Sequence, residues 1–264
     1  MVYQSKSALA LLLLDQALGW ELSKLPVVAD SAYGNDFSFR AALRERGLEY
    51  AVAVEPSTKV WLQEPQRAAR APGGRGRPRR QPPLAEDMPE PVDLAKVAAQ
   101  LPAAAWKKVT WRHGSKGPLR SRFAKVMVWA AHGWKKSEPL ERVAEWLLIE
   151  WPEGAATPCE YWLARLGTGA LGLPRLIRTA RARWRVELDY RELKEELGLD
   201  HYEGRHWLGW HHHVTLVSMA FGFLRGEQSR AKKNFWCDLT PDPAATADAA
   251  DPADGPLPVV SEPL

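Results

Sequence analysis

The sequence predicts an α/β fold on three observations. Two buried strand patterns flank a helix pattern within residues 25–54, which is the order of a strand–helix–strand unit. Several strand patterns separated by glycine-containing turns follow between residues 109 and 164. An amphipathic helix pattern then covers residues 171–197. A hydrophobic content of 45% is sufficient for a packed core, so we expect a globular protein.

The strand–helix–strand unit places an acid where α/β proteins bind ligands. Residues 25–30 predict a short buried strand that ends at Asp30. A helix over 37–46, ended by Gly47, leads to a second buried strand over 50–54. Ligands of α/β sheets bind at the carboxyl ends of the strands, so Asp30 is a candidate catalytic residue. The position is equally typical of an aspartate that caps a helix or a turn.

A charged stripe runs beside the apolar face of the 171–197 helix. At about 100° per residue, one face collects four side chains that we expect to face the core: Val186, Tyr190, Leu193 and Leu197. Glu187 lies beside that face, with Arg183 and Lys194 on its own side. This arrangement suits a site that handles phosphate and a divalent ion. The helix alone favours ordinary ion pairs on an amphipathic helix. Its other carboxylates are expected to point to solvent: Asp189, Glu192, Glu195 and Glu196.

Three groups of residues together carry a family resemblance. They are the run from Val28 to Gly34, the spacing of Arg183, Glu187 and Lys194, and the segment from Gly204-Arg205 to Gly209-Trp210-His211-His212-His213. With these motifs, residues 7–225 resemble the DDE transposases of bacterial insertion sequences. Such enzymes have an RNase H-like fold in which three carboxylates hold two Mg²⁺ ions. The resemblance implies hydrolysis of a DNA phosphodiester, with Mg²⁺ or Mn²⁺, and transfer of the freed 3′ hydroxyl to target DNA.

The resemblance also implies roles for individual residues. Asp30 is the second acid of the family and Glu187 the third, and both are expected to bind metal. The family signature of an arginine, a glutamate four residues later and a lysine seven residues after that fits Arg183, Glu187 and Lys194. Arg183 and Lys194, together with Arg205, are expected to contact DNA phosphates. The tyrosine that precedes the arginine by three positions in the family is Ala180 here, which is a departure from the pattern.

The first acid of such enzymes lies on a strand upstream of the helix that precedes the second acid. Here that helix is predicted over residues 6–24, and Asp15 in its middle is not accepted as the missing ligand. We therefore expect the C-terminal portion of a transposase with little or no cleavage alone, because losing one bridging carboxylate weakens both ion sites. The alternative is a catalytically dead DNA-binding remnant that occupies DNA ends or associates with an intact transposase.

In the resembling family a mainly β insertion interrupts the RNase H-like core. The division expected here is 1–56 and 169–236 for the core, 57–168 for the insertion, and 237–264 for a disordered acidic tail. The regular elements predicted after the first unit are strands over 109–112, 122–129, 145–151 and 161–164, a short helix over 94–105 and a helix over 211–224.

Basic residues are concentrated in one part of the chain. There are 36 basic and 32 acidic residues, a net charge of +4. One Pro/Gly-rich segment without acids contains six arginines: Arg67, Arg70, Arg75, Arg77, Arg79 and Arg80. In isolation this composition is typical of a solvated linker. Arginine binds phosphate bidentately, so in the context of the resemblance we expect the run to contact DNA, both transposon ends and target.

The remaining features of the sequence indicate the cellular location and the protein partners that we expect. Cys159 and Cys237 lie far apart without metal-ligand spacing, which indicates a reducing compartment, and we expect a cytoplasmic protein. The apolar run 8–14 is too short to span a membrane and is interpreted as a buried helix face. A second copy or an intact transposase is the expected protein partner.

The histidines suggest a metal site, and the tryptophans suggest a site that stacks on a base. The sequence patterns support neither site. Consecutive residues of a helix point about 100° apart, so His211, His212 and His213 do not easily share one metal ion. The chain has 13 tryptophans, many of them within 106–162. An aromatic side chain can hold a flipped base in transposition. Most of these tryptophans are expected to be core, and none is singled out.

Overall fold

The structure is a computed structural model that describes residues 4–20, 22–66, 84–114, 117–131, 143–167 and 171–237. The chain divides into two compact units, Met1–Val186 and Glu187–Leu264. The predicted arginine run and the predicted acidic tail beyond Cys237 lie outside the described residues. The division into core, insertion and tail stays a prediction.

The first unit is a mixed α/β structure. Its helices are α1 (Lys6–Gly19), α2 (Ser31–Gly34), α3 (Phe37–Glu45), α4 (Leu94–Gln100) and α5 (Leu173–Arg181), with a 3₁₀ turn at Ala103–Ala105. Its strands are β1 (Val27–Ala29), β2 (Tyr50–Val54), β3 (Lys59–Trp61), β4 (Val92–Asp93), β5 (Lys107–Gly114), β6 (Gly117–Ala130), β7 (Glu145–Pro152) and β8 (Glu160–Arg165).

One eight-stranded sheet organises this unit. Its order is β1-β2-β8-β7-β6-β3-β4, with β5 paired to β6 outside that path. The pair β1–β2 is parallel, and the other pairs are antiparallel. The strands predicted for the insertion are confirmed. Through the β2–β8 ladder they continue the same sheet, so the segment 57–168 adds strands to the strand–helix–strand unit.

Apolar layers cover both faces of the sheet. On one face, Leu176 and Ile177 of α5 pack against Phe123, Leu148 and their neighbours. On the other face, α4 packs its buried side chains against strands β6 to β8. Helix α3 and one side of α1 cover β1 and β2. Successive side chains of a strand point to opposite faces of the sheet, so the buried residues of these strands form one core on each side of it.

The first helices begin where their sequence signals predict, but α1 ends at Gly19 and not at residue 24. Ser5 caps α1 by accepting a hydrogen bond from the Ala8 amide. Gly47 has φ +64°, so it stops α3 in the left-handed conformation that its sequence position predicts. Only part of the apolar run of α1 is covered: Leu11 and Leu14 pack on the α3 cluster, while Leu13 is 66% exposed. The buried face predicted for 8–14 is thus confirmed for one side of the helix.

The single helix predicted over 171–197 is wrong. Helix α5 ends at Arg181, and α6 (Trp184–Glu195) begins after a tight turn. The Ala182 amide donates to the Thr179 carbonyl at 3.0 Å, which closes the last turn of α5. The Arg181 side chain pairs with Glu150 of β7, which fixes the end of α5 against the sheet. Neither glycine nor proline marks this break in the sequence.

In the second unit, α6 contacts α7 (Trp207–Cys237) through acidic side chains that the sequence predicted to face solvent. Val186 and Tyr190, predicted to face a core, are 48% and 55% exposed. Asp189 and Glu192, predicted to face solvent, pair with Arg225 of α7 at 2.9 and 2.6 Å. The partner helix supplies a cation at this contact, so the prediction is wrong for these four side chains. Leu193 and Leu197 of the predicted face are half-buried, and Glu195 and Glu196 are exposed as predicted.

Candidate active site

Asp30 stands at the carboxyl end of β1. Strand β1 runs parallel to β2, with Val27 opposite Tyr50 and Ala29 opposite Val52, so the carboxyl ends of both strands meet at one edge. Asp30 is exposed, and its Oδ1 accepts a hydrogen bond from the Ala32 amide at 3.1 Å, which caps α2. Both sequence interpretations are confirmed at this level: the acid ends a strand and caps a helix. The two are compatible because a carboxylate has a second oxygen.

Close backbone contacts fix the turn that follows Asp30. Gly34 packs directly on the backbone of Ala53, where a Cβ would collide with the carbonyl oxygen. The Asn35 Oδ1 accepts hydrogen bonds from the Glu55 amide at 3.0 Å and from the Thr58 hydroxyl at 3.2 Å. The loop carrying Asp30 is therefore tied to the end of β2, which keeps its carboxylate in one place.

A buried ion network lies beneath this loop. Arg40 of α3 is fully buried, and its Nε donates to the Glu145 Oε1 at 3.0 Å. The Tyr50 hydroxyl donates to the same oxygen at 2.6 Å. Burial raises the pKa of Tyr50, and the negative charge of Glu145 adds to that rise. Arg40 also donates to the Gly34 carbonyl, so the network holds the loop from below.

Sequence reasoning missed this network. Arg40 lies among the buried side chains Phe37, Phe39, Ala41 and Leu43 of α3, and an arginine within an apolar helix face is a signal for a buried partner. Its partner Glu145 is 105 residues away in the chain, so no local pattern links the two.

The Arg183, Glu187 and Lys194 motif spans the turn and the helix after it. Arg183 is half-buried in the turn between α5 and α6, while Glu187 in the first turn of α6 and Lys194 in the last turn are exposed. An acid in the first turn and a base in the last turn of a helix also stabilise its dipole. Arg183 belongs to the first compact unit, and Glu187 opens the second.

The segment between α6 and α7 orders one histidine. Arg205 is exposed in this segment. The His213 Nε2 lies 2.9 Å from the Gly198 carbonyl oxygen, and its ring is 5.6 Å from that of Tyr202. His211 packs edge-on against Trp207, with ring centroids 4.3 Å apart. These contacts give His211 and His213 structural roles.

The described residues do not by themselves complete a metal site. Mg²⁺ prefers oxygen ligands, and the exposed carboxylate of Asp30 offers that chemistry. Within the described ranges, no group of three His, Cys, Asp or Glu side chains lies close enough to hold a metal ion. Metal binding by Asp30 and Glu187 stays a prediction. Arg75, Arg77, Arg79 and Arg80 lie outside the described residues, so the predicted phosphate clamp also stays a prediction.

Asp15 has a structural partner. Its two carboxylate oxygens accept from the Arg46 Nε and Nη2 at 2.6 and 2.7 Å, which joins α1 to the end of α3. The hydrogen bond from Arg46 holds the pKa of Asp15 below its usual value. The acid in the middle of α1 therefore serves helix packing.

Comparison with known families agrees with the first half of this description. The family model of the DDE superfamily endonuclease matches residues 1–118, which include Asp30 and the parallel strands β1 and β2. The match ends before Glu187, so it covers less than the resemblance over 7–225. No curated protein matches the chain. Among the described residues, no helix is long and apolar enough to cross a membrane. Residues 1–118 of the chain are therefore similar to the DDE superfamily endonucleases, in line with the predicted resemblance.

Proposed function

We propose that this chain takes part in metal-dependent cleavage of DNA and transfer of the cut strand, the chemistry of a DDE transposase. The observation that carries the proposal is the place of Asp30. It lies within the residues that match the endonuclease family, at the carboxyl end of a parallel strand, and it is exposed on a loop tied to its neighbour strand. In this proposal Asp30 and Glu187 bind Mg²⁺ or Mn²⁺.

The support for Asp30 comes from the geometry of its loop, whereas the support for the other proposed residues comes from the family resemblance. The loop of Asp30 is held by Gly34 and Asn35, which provides the fixed carboxylate that catalysis requires. Glu187, Arg183, Lys194 and Arg205 enter the proposal on the family signature. The proposed contacts of the two arginines and the lysine with phosphate follow from their charge and from the DNA substrate of the family.

A cleavage assay tests the role of Asp30. The measurement is nicking of a supercoiled plasmid with Mg²⁺ or Mn²⁺, with EDTA as the metal-free reference. Asp30→Asn keeps a capping oxygen for the Ala32 amide but removes the charge, and we expect nicking to fall about 100-fold or more.

Asp36→Asn is the matched control for this assay. Asp36 lies in the same loop and caps α3 by accepting from the Ser38 amide at 2.9 Å. Its replacement should leave nicking within about twofold, because only a cap is changed and asparagine caps as well. Equal loss in both variants, or nicking that is indifferent to Asp30→Asn, would show that Asp30 is a structural residue.

Glu187 is tested in the same way on α6. Glu187→Gln should lower metal-dependent nicking by about as much as Asp30→Asn, because each removes one proposed ligand. Glu195→Gln, at the end of the same exposed helix, is the control and should have little effect. If Glu187→Gln behaves like the control, the family signature does not place the third acid there.

The cap at Asp30 also favours a second candidate, a DNA-binding protein without cleavage. A carboxylate that accepts from the Ala32 amide has a structural reason to be present without metal. This alternative predicts plasmid binding with no nicking under any divalent ion. It further allows the chain to occupy DNA ends as a homodimer or beside an intact transposase, which light scattering with and without DNA would detect.

A further inference from the structure

The β5–β6 hairpin is rich in positive charge. Residues 107–125 contain seven lysines and arginines and no acid. In the β5–β6 ladder, Lys108 lies directly opposite Arg122. Arg120 is two residues before Arg122 on the same strand, so all three side chains belong to one face of the hairpin. We call Lys108, Arg120 and Arg122 the hairpin cation cluster.

This face lies beyond the part of the sheet that α4 covers. The apolar cluster beneath α4 includes Trp106, the residue before β5, as a half-buried member. Past that point Lys108 and Arg120 are exposed, with the Lys108 side chain 56% accessible. The hairpin cation cluster is thus presented at the surface by two paired strands, which hold its members at fixed spacings.

Trp151 orders the central arginine of the cluster. The Arg122 guanidinium carbon lies 4.1 Å from the centre of the Trp151 ring. Trp106 packs edge-on against the same indole at 5.2 Å, and the Trp151 Nε1 donates to the Ala155 carbonyl at 2.8 Å. The ring face is therefore occupied by Arg122 and is not offered to a nucleobase. A guanidinium held in this way keeps its charge and loses less freedom when it binds phosphate.

One acid borders the cluster. Glu153 forms an ion pair with Lys108, and a surface concavity of about 370 Å³ is lined by Trp106, Lys108, Arg122, Glu153 and Gly154. The hydrogen bond from Lys108 holds the pKa of Glu153 below its usual value, and Arg120 and Arg122 act in the same direction. Three cations facing one carboxylate leave a positive surface. Like charges directly opposite on two strands destabilise a sheet, so this arrangement has a cost in stability.

We infer that the hairpin cation cluster binds the phosphate backbone of DNA. The inference rests on the proposed function for the identity of the ligand, because the related family acts on DNA. The geometry supplies its mode: cations on two paired strands contact phosphates, and the face of Trp151 beside them is occupied by Arg122. Binding through this face is therefore independent of sequence, and it positions the duplex for reaction elsewhere.

The test measures binding of a fluorescent duplex by anisotropy over a range of salt concentrations, in EDTA so that cleavage does not interfere. The variant is Lys108→Ala/Arg120→Ala/Arg122→Ala. Each phosphate contact contributes about 0.9 to the slope of log K against log salt. We expect the slope to become shallower by about 2 to 3, and affinity at about 50 mM salt to fall about 10-fold or more. Two duplexes of unrelated sequence should be affected equally.

A variant with the same loss of charge elsewhere is the control. Lys6→Ala/Lys59→Ala/Lys96→Ala removes three exposed lysines from α1, β3 and α4. It should keep the wild-type slope to within about 1. Circular dichroism and thermal unfolding of both variants establish that they are folded. An unchanged slope in the cluster variant, or an equal change in the control, would overturn the inference.

Glu153→Gln tests the cluster in the opposite direction. It releases Lys108 from its ion pair, so we expect DNA affinity to rise about 2- to 5-fold at low salt. A fall in affinity would contradict the inference. The proposed function is tested separately: if Asp30→Asn leaves nicking unchanged while the cluster variant loses the salt slope, cleavage by Asp30 is wrong and the DNA surface stands. If nicking depends on Asp30 but the cluster variant binds DNA normally, the proposed cleavage stands and the hairpin cation cluster is not the DNA surface.

Discussion

The surroundings of Asp30 and of Glu187 differ in how firmly each acid is held. Asp30 follows a strand of the central sheet, and its loop rests on a buried network that includes Arg40 and Glu145. Glu187 lies on a helix without a buried residue, whose contact with its neighbour includes the half-buried pairs of Arg225 with Asp189 and Glu192. Fixed catalytic geometry is thus supplied by the sheet at Asp30, whereas a helix like α6 needs a partner or a ligand to fix it.

The strongest test of this contrast removes the charge of Glu145. Glu145→Gln leaves Arg40 as a buried cation without its counter-ion, and we expect a loss of about 3 to 5 kcal/mol in the free energy of unfolding. Glu192→Gln removes one partner of Arg225 on a pair that is 40% and 26% exposed, so its cost should stay below about 1 kcal/mol. Urea denaturation of both variants gives the comparison, and equal losses would mean that the two regions are held equally firmly.

The next largest effect is expected from Gly34→Ala. The new Cβ would meet the Ala53 carbonyl oxygen, and backbone atoms on both sides leave little room to adjust, so we expect destabilisation by about 3 kcal/mol. Gly222→Ala in α7 is the matched control, because a Cβ there meets no heavy atom within 4 Å. It should be stabilising by up to about 1 kcal/mol, since alanine favours a helix. Similar melting temperatures for the two variants would show that the Asp30 loop is not tightly packed.

A smaller effect separates capping from catalysis at Asp30. Asp30→Ala removes the acceptor of the Ala32 amide, so the free energy of unfolding should fall by about 1 kcal/mol. Asp30→Asn should cost less than about 0.5 kcal/mol, because asparagine caps as well as aspartate. Thermal unfolding monitored by circular dichroism measures both. If Asp30→Ala were as stable as the wild type, the capping bond would not contribute to the stability of this loop.

The smallest effect is expected for the ion pair of Asp15 with Arg46, whose contribution to stability depends on pH. Arg46 lowers the pKa of Asp15 in the folded protein, so this pair contributes stability above the usual aspartate pKa. The contribution is lost as the pH falls through the lowered value. Asp15→Asn should therefore melt slightly below the wild type near neutral pH, and the difference should disappear as the pH falls below the lowered pKa of Asp15. A melting difference that does not shrink in acid would show that the pair does not act through its charge.

The sequence predicted most of the first unit for identifiable reasons. Strands β1 and β2 are short apolar runs, and Gly47 stops the helix between them by its left-handed conformation. The strands of the 109–164 region are bounded by turns, and β7 and β8 contain continuous apolar runs that are buried on both faces. Asp30 was placed correctly at a strand end because the apolar run of β1 stops at Ala29, immediately before it.

Other features depend on contacts that a local pattern does not contain. The partner of Arg40 is a glutamate 105 residues away, and the turn after Arg181 follows from its pairing with Glu150 in β7. The prediction for α6 was wrong at Asp189 and Glu192 because the neighbouring helix supplies Arg225, which attracts acids. The predicted roles of the candidate residues, from Asp30 and Glu187 to the arginine run, rest on the family signature and await the assays proposed above.

The pairing of β2 with β8 has a consequence for folding. The first half of the sheet is completed by a strand that a ribosome makes long after β2 has emerged, with the β5–β7 strands in between. Contacts so distant in sequence form slowly, because a large loop must close before any hydrogen bond of the ladder is gained. The nascent chain must therefore keep the apolar β2 strand from other partners during synthesis, so production is expected to be limited by aggregation of incomplete chains.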